Sequence, residues 1–238
     1  DAYSRVAALH IFDGPPCTAA IYDDGHGMSR EEYINKWLVL GTEAKLANPL
    51  TPIADRKGLP FRKRQGKKGI GRLSVGFLAN LLLLVTKRPG DQFVASLIDW
   101  RIFENPFLIL DDVSIPIVTY DDKLSLFDHV QGLYETLMCN IWGDTADSKA
   151  KERIESAWDA FDKMERDRDG GKLEGFQTTR EQIEQSLVEM PFNSRHIEQW
   201  PIWTGESDSG TALLLANLTP DLEAQLVENP KSAHETKA

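Results

Sequence analysis

A short acidic and glycine-rich turn, DDGHGM at positions 23–28, is the first part of the sequence that could bind a ligand. It follows Thr18–Tyr22, a short apolar run that predicts a buried strand. A carboxylate at the end of such a strand can accept a hydrogen bond from an exocyclic amine, and glycines let the backbone approach a flat ligand such as adenine. An ordinary strand-to-helix turn with solvated aspartates explains the same residues. A calcium loop does not, because Glu31 and Glu32 lack the spacing of its ligands.

A second glycine-rich segment, GKKGIGR at positions 66–72, could bind phosphate. It precedes an apolar run from Leu73 to Val85, which predicts a buried helix. Free N–H groups of the loop would then face phosphate oxygens at the positive end of that helix. The segment is neither a Walker loop, since no Lys-Ser or Lys-Thr follows its last glycine, nor a dinucleotide-binding turn, since no strand directly precedes it. A glycine-rich surface loop is the alternative.

Charge is concentrated around this second segment. Residues 56–90 contain ten basic residues and no acidic residue, whereas the whole chain has a formal charge of -10. The rest of the chain is therefore at -20. A basic segment in an acidic chain indicates an anionic partner at that place, and phosphate is the first candidate. The basic residues are Arg56, Lys57, Arg62, Lys63, Arg64, Lys67, Lys68, Arg72, Lys87 and Arg88.

Composition excludes several classes of protein. The 238 residues are 41% hydrophobic and 9% aromatic, which is enough for a packed core and excludes a disordered tail or a collagen-like chain. Cys17 and Cys139 match no metal-ligand spacing, so a reduced, cytoplasmic setting is expected. The longest apolar run, Phe77 to Val85, is about half of a membrane span, so a soluble protein without a membrane partner is expected.

The order of these motifs resembles the GHKL ATPase superfamily, which includes gyrase-type topoisomerases, heat-shock chaperones, mismatch-repair ATPases and sensor histidine kinases. An acidic-glycine turn, a long loop, a phosphate-type glycine loop and Gly210-Thr211 at a strand start follow one another as in that family. WLVLGTEAK at positions 37–45, followed by GKKGIGRLSVG, is most similar to the chaperone-like and MORC-like branch. The likeness covers residues 1–98 and 209–228, about half of the chain.

The resemblance implies a role for individual residues. Asp23 would bind the adenine amine, Gly25, Gly27 and Met28 would shape the base pocket, and Thr211 would close its adenine side. The other implied contacts to the nucleotide and its phosphates come from Thr42, Lys45, Gly66, Lys68, Gly69, Ile70, Gly71 and Arg72. The family's water-activating Glu and magnesium-holding Asn would lie before Asp1.

The resemblance also implies an activity. It is ATP binding with Mg²⁺ and slow hydrolysis, coupled to closure of a lid over Leu46–Gly71 and to nucleotide-dependent homodimerisation. The alternatives are a non-hydrolysing, nucleotide-gated interaction module and a histidine-kinase catalytic domain. Because the basic segment carries more charge than one triphosphate needs, a nucleic acid or a protein client is a further candidate partner.

The implied fold class is α/β, a two-layer α/β sandwich of the GHKL (Bergerat) type with a helical insertion. Phe93–Ile98, Phe107–Leu110, Val113–Thr119 and Gly210–Leu218 are predicted strands, and capping boxes at Ser29 and Thr178 predict helix starts. Apolar stripes predict three helices between Lys123 and Met190, expected to pack on one another as an accessory element. The predicted division is an ATP-binding domain at 1–122 and 205–228, an insertion at 123–204, and a polar tail at 229–238.

Overall fold

Six strands form one antiparallel sheet in the computed structural model, which describes residues 8–14, 16–38, 75–170, 175–220 and 222–224. Their bounds are β1 (Ala8–Phe12), β2 (Thr18–Asp23), β3 (Ala79–Lys87), β4 (Phe93–Asp99), β5 (Ile117–Tyr120) and β6 (Gly210–Leu218). The strands lie in the order β1-β2-β6-β3-β4-β5, and every neighbouring pair is antiparallel. Strand β6, the last in the sequence, therefore lies inside the sheet, between β2 and β3.

The helices begin where the sequence predicts their N-caps at Ser29 and Thr178. Both predicted capping boxes are confirmed: the side chains of Ser29 and Thr178 accept the N–H groups of Glu32 and Glu181, whose carboxylates bind back to the N-cap backbone. The helix after Ser29 is one α-helical turn that continues as a π-helix over Tyr33–Leu38. The α-helices of the described residues include α1 (Arg30–Glu32), α2 (Leu126–Ile141), α3 (Ser148–Glu165), α4 (Thr179–Glu189) and α5 (Pro201–Thr204).

The central strands are buried on both faces. Along β3, Leu81 and Leu83 belong to a core shared with α2, α3 and α4, whereas Leu82 and Leu84 belong to a second core that includes Tyr33. All four leucines are fully buried. Burial of each one stabilises the fold by about 1.5–3 kcal/mol. The predicted α/β fold is thus confirmed, with helices α2 to α4 forming a layer on one face of the sheet.

The predicted helix over Leu73–Val85 is wrong for residues 75–85, and its first two residues lie outside the described part of the chain. Residues 75–77 form one 3₁₀ turn, and the apolar residues that follow belong to strand β3. A strand covered on both faces is apolar at every position rather than at alternate positions, so its sequence has the all-round apolar character of a buried helix. The error matters for function, because the glycine-rich segment at 66–72 then precedes a 3₁₀ turn and a strand instead of opening a long helix.

The predicted strand over Phe107–Leu110 is also wrong. This segment is a turn that leads into a 3₁₀ helix over Leu110–Asp112, and Leu110 is 79% exposed. The side chain of Asn105 accepts the N–H of Phe107 at 2.9 Å, which closes the turn locally and competes with strand pairing. The next predicted strand is shorter than expected, since β5 begins only after Pro116.

The helical segment packs on the sheet rather than mainly on itself. The buried side chains of α2, α3 and α4, among them Leu137, Trp158 and Ile183, form one core with the sheet residues Leu83 and Leu97. Its two ends also meet, because Lys123 Nζ donates hydrogen bonds to the carbonyl oxygens of Ile202 at 3.4 Å and Trp203 at 2.9 Å. Closely spaced ends are what an insertion requires. The division into domains at 122 and 205 stays a prediction.

Candidate functional site

Three polar side chains form a row across the adjacent strands β2, β6 and β3. Asp23 at the end of β2 pairs with Thr211 of β6, and Thr211 pairs in turn with Thr86 of β3. Successive side chains in a strand alternate between faces. The row therefore lies on the face of the sheet that carries Leu84 and Leu215, opposite helices α2 to α4. Directly paired side chains of this kind lie about 5 Å apart, so one small ligand group can contact two of them.

The Asp23 carboxylate is held by backbone donors. Its Oδ1 accepts the N–H of Gly25 at 2.8 Å. Burial raises the pKa of the Asp23 carboxyl above its ordinary value, and the N–H groups of Gly25 and Thr211 oppose that rise because they favour the ionised form. The carboxylate is thus fixed in orientation, partly desolvated and able to accept a further hydrogen bond from a ligand.

Thr86 connects the row to the turn at positions 23–28. Its Oγ1 accepts the N–H of Met28 at 3.0 Å, donates to the carbonyl oxygen of Gly210 at 3.1 Å and contacts Thr211 Oγ1 at 3.1 Å. The Thr86 side chain is fully buried. The backbone after Asp23 is therefore fastened to the end of β3 through one hydroxyl group.

Two glycines allow the backbone segments to meet here. Gly27 has φ +62°, and a Cβ at this position would lie 1.9 Å from the carbonyl oxygen of Lys87. A Cβ at Gly210 would lie 2.2 Å from the carbonyl oxygen of Asp23. No side chain fits at either contact. Both glycines are needed to bring the 23–28 turn against β3 and β6.

The segment between α4 and β6 supports the turn from the other side. The indole Nε1 of Trp200 donates to the carbonyl oxygen of Asp23 at 3.0 Å, and Ser209 Oγ donates to that of Gly25 at 2.7 Å. Trp200 and Ser209 are fully buried. Both residues bind main-chain oxygens of the turn, so they fix the path of the backbone that carries the Asp23 carboxylate.

His196 fastens the same segment to β2. Burial lowers the pKa of His196, so the neutral ring is favoured. Its Nδ1 lies 3.1 Å from the backbone nitrogen and 3.2 Å from the carbonyl oxygen of Asn193, and its Nε2 lies 2.8 Å from Thr18 Oγ1. The Tyr22 hydroxyl donates to the His196 carbonyl oxygen. Strand β2 is thus anchored at both ends to residues in the predicted insertion.

We expect Trp200→Phe to weaken ligand binding at Asp23, because it removes one hydrogen bond to the backbone of that residue and keeps an aromatic ring. The free energy of unfolding should fall by about 1 kcal/mol. Trp203→Phe makes the same change in a ring that packs near Lys123 Nζ and is the control. Calorimetric titration with ATP and urea unfolding check both variants. Equal ATP affinity in the two would contradict this role of Trp200.

Glu32, just after the 23–28 turn, forms two ion pairs. Arg88 Nη1 lies 2.5 Å from Glu32 Oε2, and Lys36 Nζ lies 2.7 Å from Glu32 Oε1. Partial burial opposes ionisation of Glu32, but the hydrogen bonds from Arg88 and Lys36 prevail and lower its pKa to about 2. Lys87 Nζ binds the main-chain oxygens of Arg88 and Asp91. The last two cations of the basic segment thus have partners within the fold.

The structure brings together the five predicted site residues that it describes: Asp23, Gly25, Gly27, Met28 and Thr211. Thr86, Ser209 and Trp200 were not predicted. The remaining predicted residues lie outside the described part of the chain, so their roles stay predictions. They are Thr42, Lys45, Gly66, Lys68, Gly69, Ile70, Gly71 and Arg72.

Two features are absent from the described residues. Within residues 8–14, 16–38, 75–170, 175–220 and 222–224, no group of three or more His, Cys, Asp or Glu side chains could hold a metal ion. In the same ranges, no helix combines the length and the apolar character needed to cross a bilayer.

Comparison with known proteins agrees with the geometry. Residues 9–118 match the model of a family described as histidine kinase-, DNA gyrase B-, and HSP90-like ATPase. The matched stretch contains β2, the 23–28 turn, β3 and β4. No curated protein matches the chain. Residues 9–118, and with them Asp23 and the turn that follows it, belong to the GHKL ATPase superfamily.

Proposed function

We propose that the chain binds ATP with the adenine base against Asp23, Thr211 and the 23–28 turn. The observation that supports this most is the row of Asp23, Thr211 and Thr86 beside a turn that lacks side chains at Gly25 and Gly27. The carboxylate supplies an acceptor for the 6-amino group, and the glycines leave room for a flat ring.

The phosphates would extend toward the basic segment. In this proposal Gly66, Lys68, Gly69, Ile70, Gly71 and Arg72 bind them, and Thr42 and Lys45 lie near the nucleotide. Backbone N–H groups and fixed cations neutralise phosphate charge without a covalent intermediate. Mg²⁺ enters the proposal through the family likeness alone, since the described residues contain no group of three or more His, Cys, Asp or Glu side chains that could hold it.

Slow hydrolysis coupled to lid closure and homodimerisation completes the proposal. These steps, the cytoplasmic location and membership of the chaperone-like or MORC-like branch rest on the family likeness and on the sequence motifs. The function proposed for the chain is therefore that of a GHKL-type ATPase domain whose turnover drives a change in assembly.

Calorimetric titration of the chain with ATP, ADP and GTP in the presence of Mg²⁺ tests this function. We expect ATP and ADP to bind and GTP to bind at least about tenfold more weakly, because its 6-oxo group would face the Asp23 carboxylate. Equal affinities for ATP and GTP, or no binding of ATP, would overturn the assignment of the base pocket.

A further inference from the structure

The hydroxyl group of Thr86 has one proton and three neighbours. The carbonyl oxygen of Gly210 can only accept, so the Thr86 proton goes to it across 3.1 Å. The N–H of Met28 can only donate, so it takes one lone pair of Thr86 Oγ1 across 3.0 Å. One lone pair is left for the contact with Thr211 Oγ1 at 3.1 Å. In that contact Thr86 accepts and Thr211 donates.

This assignment determines what Thr211 presents to a ligand. Its hydroxyl proton points to Thr86, so the free capacity of Thr211 Oγ1 consists of lone pairs. Thr211 pairs across the strands with Asp23, and its backbone N–H favours the ionised Asp23 carboxylate. The two side chains next to each other in the row are therefore both acceptors.

We infer that Thr86 is a positioning residue that holds Thr211 as a hydrogen-bond acceptor and so adds to recognition of the 6-amino group of the base. This inference rests on the proposed function. Two acceptors match the two N–H donors of an amino group and repel the oxygen of a 6-oxo purine. Thr86 acts without touching the nucleotide, because the Thr211 hydroxyl lies between them in the row.

A purely structural role for Thr86 gives a different expectation. Loss of its hydroxyl would release Met28 and loosen the turn, which would weaken the binding of every purine nucleotide alike. If Thr86 instead fixes the direction of the Thr211 hydroxyl proton, its loss would weaken only the contribution of the 6-amino group to binding. The ratio of the affinity for ATP to the affinity for purine riboside triphosphate separates these outcomes. Purine riboside triphosphate is the matched probe, because it differs from ATP only in lacking that amino group.

The experiment compares Thr86→Val, Thr86→Ser and Thr211→Val by calorimetric titration with ATP and with purine riboside triphosphate. We expect the preference for ATP to fall about 2- to 10-fold in Thr86→Val, the range of one neutral hydrogen bond. Thr86→Ser keeps the hydroxyl and should retain the preference. Thr211→Val should lower it as much as Thr86→Val, and the double variant should lower it no further. An unchanged ratio in a folded Thr86→Val protein would overturn the inference.

A second measurement needs no nucleotide. In the NMR spectrum of the ligand-free chain, a slowly exchanging Thr211 hydroxyl proton with a cross-peak to the Thr86 side chain supports the assignment. A Thr86 hydroxyl proton directed at Thr211 overturns it. If neither triphosphate binds the unmodified chain, the proposed function fails, while the spectrum still decides which threonine donates.

Discussion

Asp23→Asn should lower the affinity for ATP about 10- to 100-fold, the effect of losing a hydrogen bond to a charged acceptor. The new side-chain oxygen can still accept the N–H of Gly25, so the turn keeps its path. The new amide nitrogen would then meet the adenine amine, which places one donor against another. Calorimetric titration measures the affinity, and urea unfolding checks that the fold is retained.

Glu31→Gln is the matched control for Asp23→Asn. It makes the same change of charge on an exposed side chain eight residues along the chain, in α1. We expect it to leave ATP affinity unchanged within twofold, an effect of the size that exposed charges have. Asp23→Asn and Glu31→Gln proteins with the same affinity would show that the nucleotide does not bind through Asp23.

The pH dependence of binding gives a second test of Asp23. Burial raises the pKa of this carboxyl, so protonation on acidification begins at a higher pH than for an exposed aspartate. The ionised form accepts the amine, and affinity should therefore fall as the pH decreases through that raised pKa. The Asp23→Asn protein lacks this group. Any pH dependence that it retains belongs to the nucleotide or to other residues.

Much of the site could be predicted because its signals are local. Asp23 and Gly27 lie in one short turn after an apolar run, and Gly210-Thr211 opens another apolar run, so strand ends and ligand groups coincide in the sequence. The capping box at Ser29 could be predicted for the same reason, because its two partners, Ser29 and Glu32, are three residues apart. The family resemblance indicates that these two strand ends, which are far apart in the sequence, belong to one site.

The unpredicted residues act across long sequence separations. Thr86 directly follows the apolar run Leu73–Val85, which predicts a helix because β3 is apolar on both faces, and a helix end would not place Thr86 beside Thr211. Trp200 contacts a main-chain oxygen 177 residues earlier in the chain. Every residue has a main-chain carbonyl oxygen, so the residue types around Asp23 do not indicate that Trp200 donates a hydrogen bond to it.

The helical segment therefore contributes to the site as well as to the core. Trp200 and His196 fasten β2 and the turn, and α2 to α4 cover the opposite face of the same strands. Deleting residues 123–204 would remove these supports and expose one whole face of the sheet. Loss of ATP binding after this deletion would therefore reflect loss of the fold, and it would not show that residues 123–204 line the nucleotide pocket.

Gly27→Ala should have the largest effect on stability. A Cβ at this position would lie 1.9 Å from the carbonyl oxygen of Lys87, far inside contact distance, and the backbone has φ +62°. The turn would have to move away from β3, which breaks the hydrogen bond from Met28 to Thr86. We expect the free energy of unfolding to fall by about 3–5 kcal/mol and ATP binding to be lost. Urea unfolding followed by tryptophan fluorescence measures the first effect.

Gly90→Ala separates the two causes of that loss. Gly90 has φ +79°, also in the left-handed region, but a Cβ there would have no neighbour within 4 Å. Only the conformational cost of about 1–2 kcal/mol should then appear, with ATP affinity retained. The difference between the two variants is the cost of the contact with β3. If Gly27→Ala unfolds at the same urea concentration as Gly90→Ala, the turn does not depend on that close approach, and the fixed position of Met28 beside Thr86 has to be explained in another way.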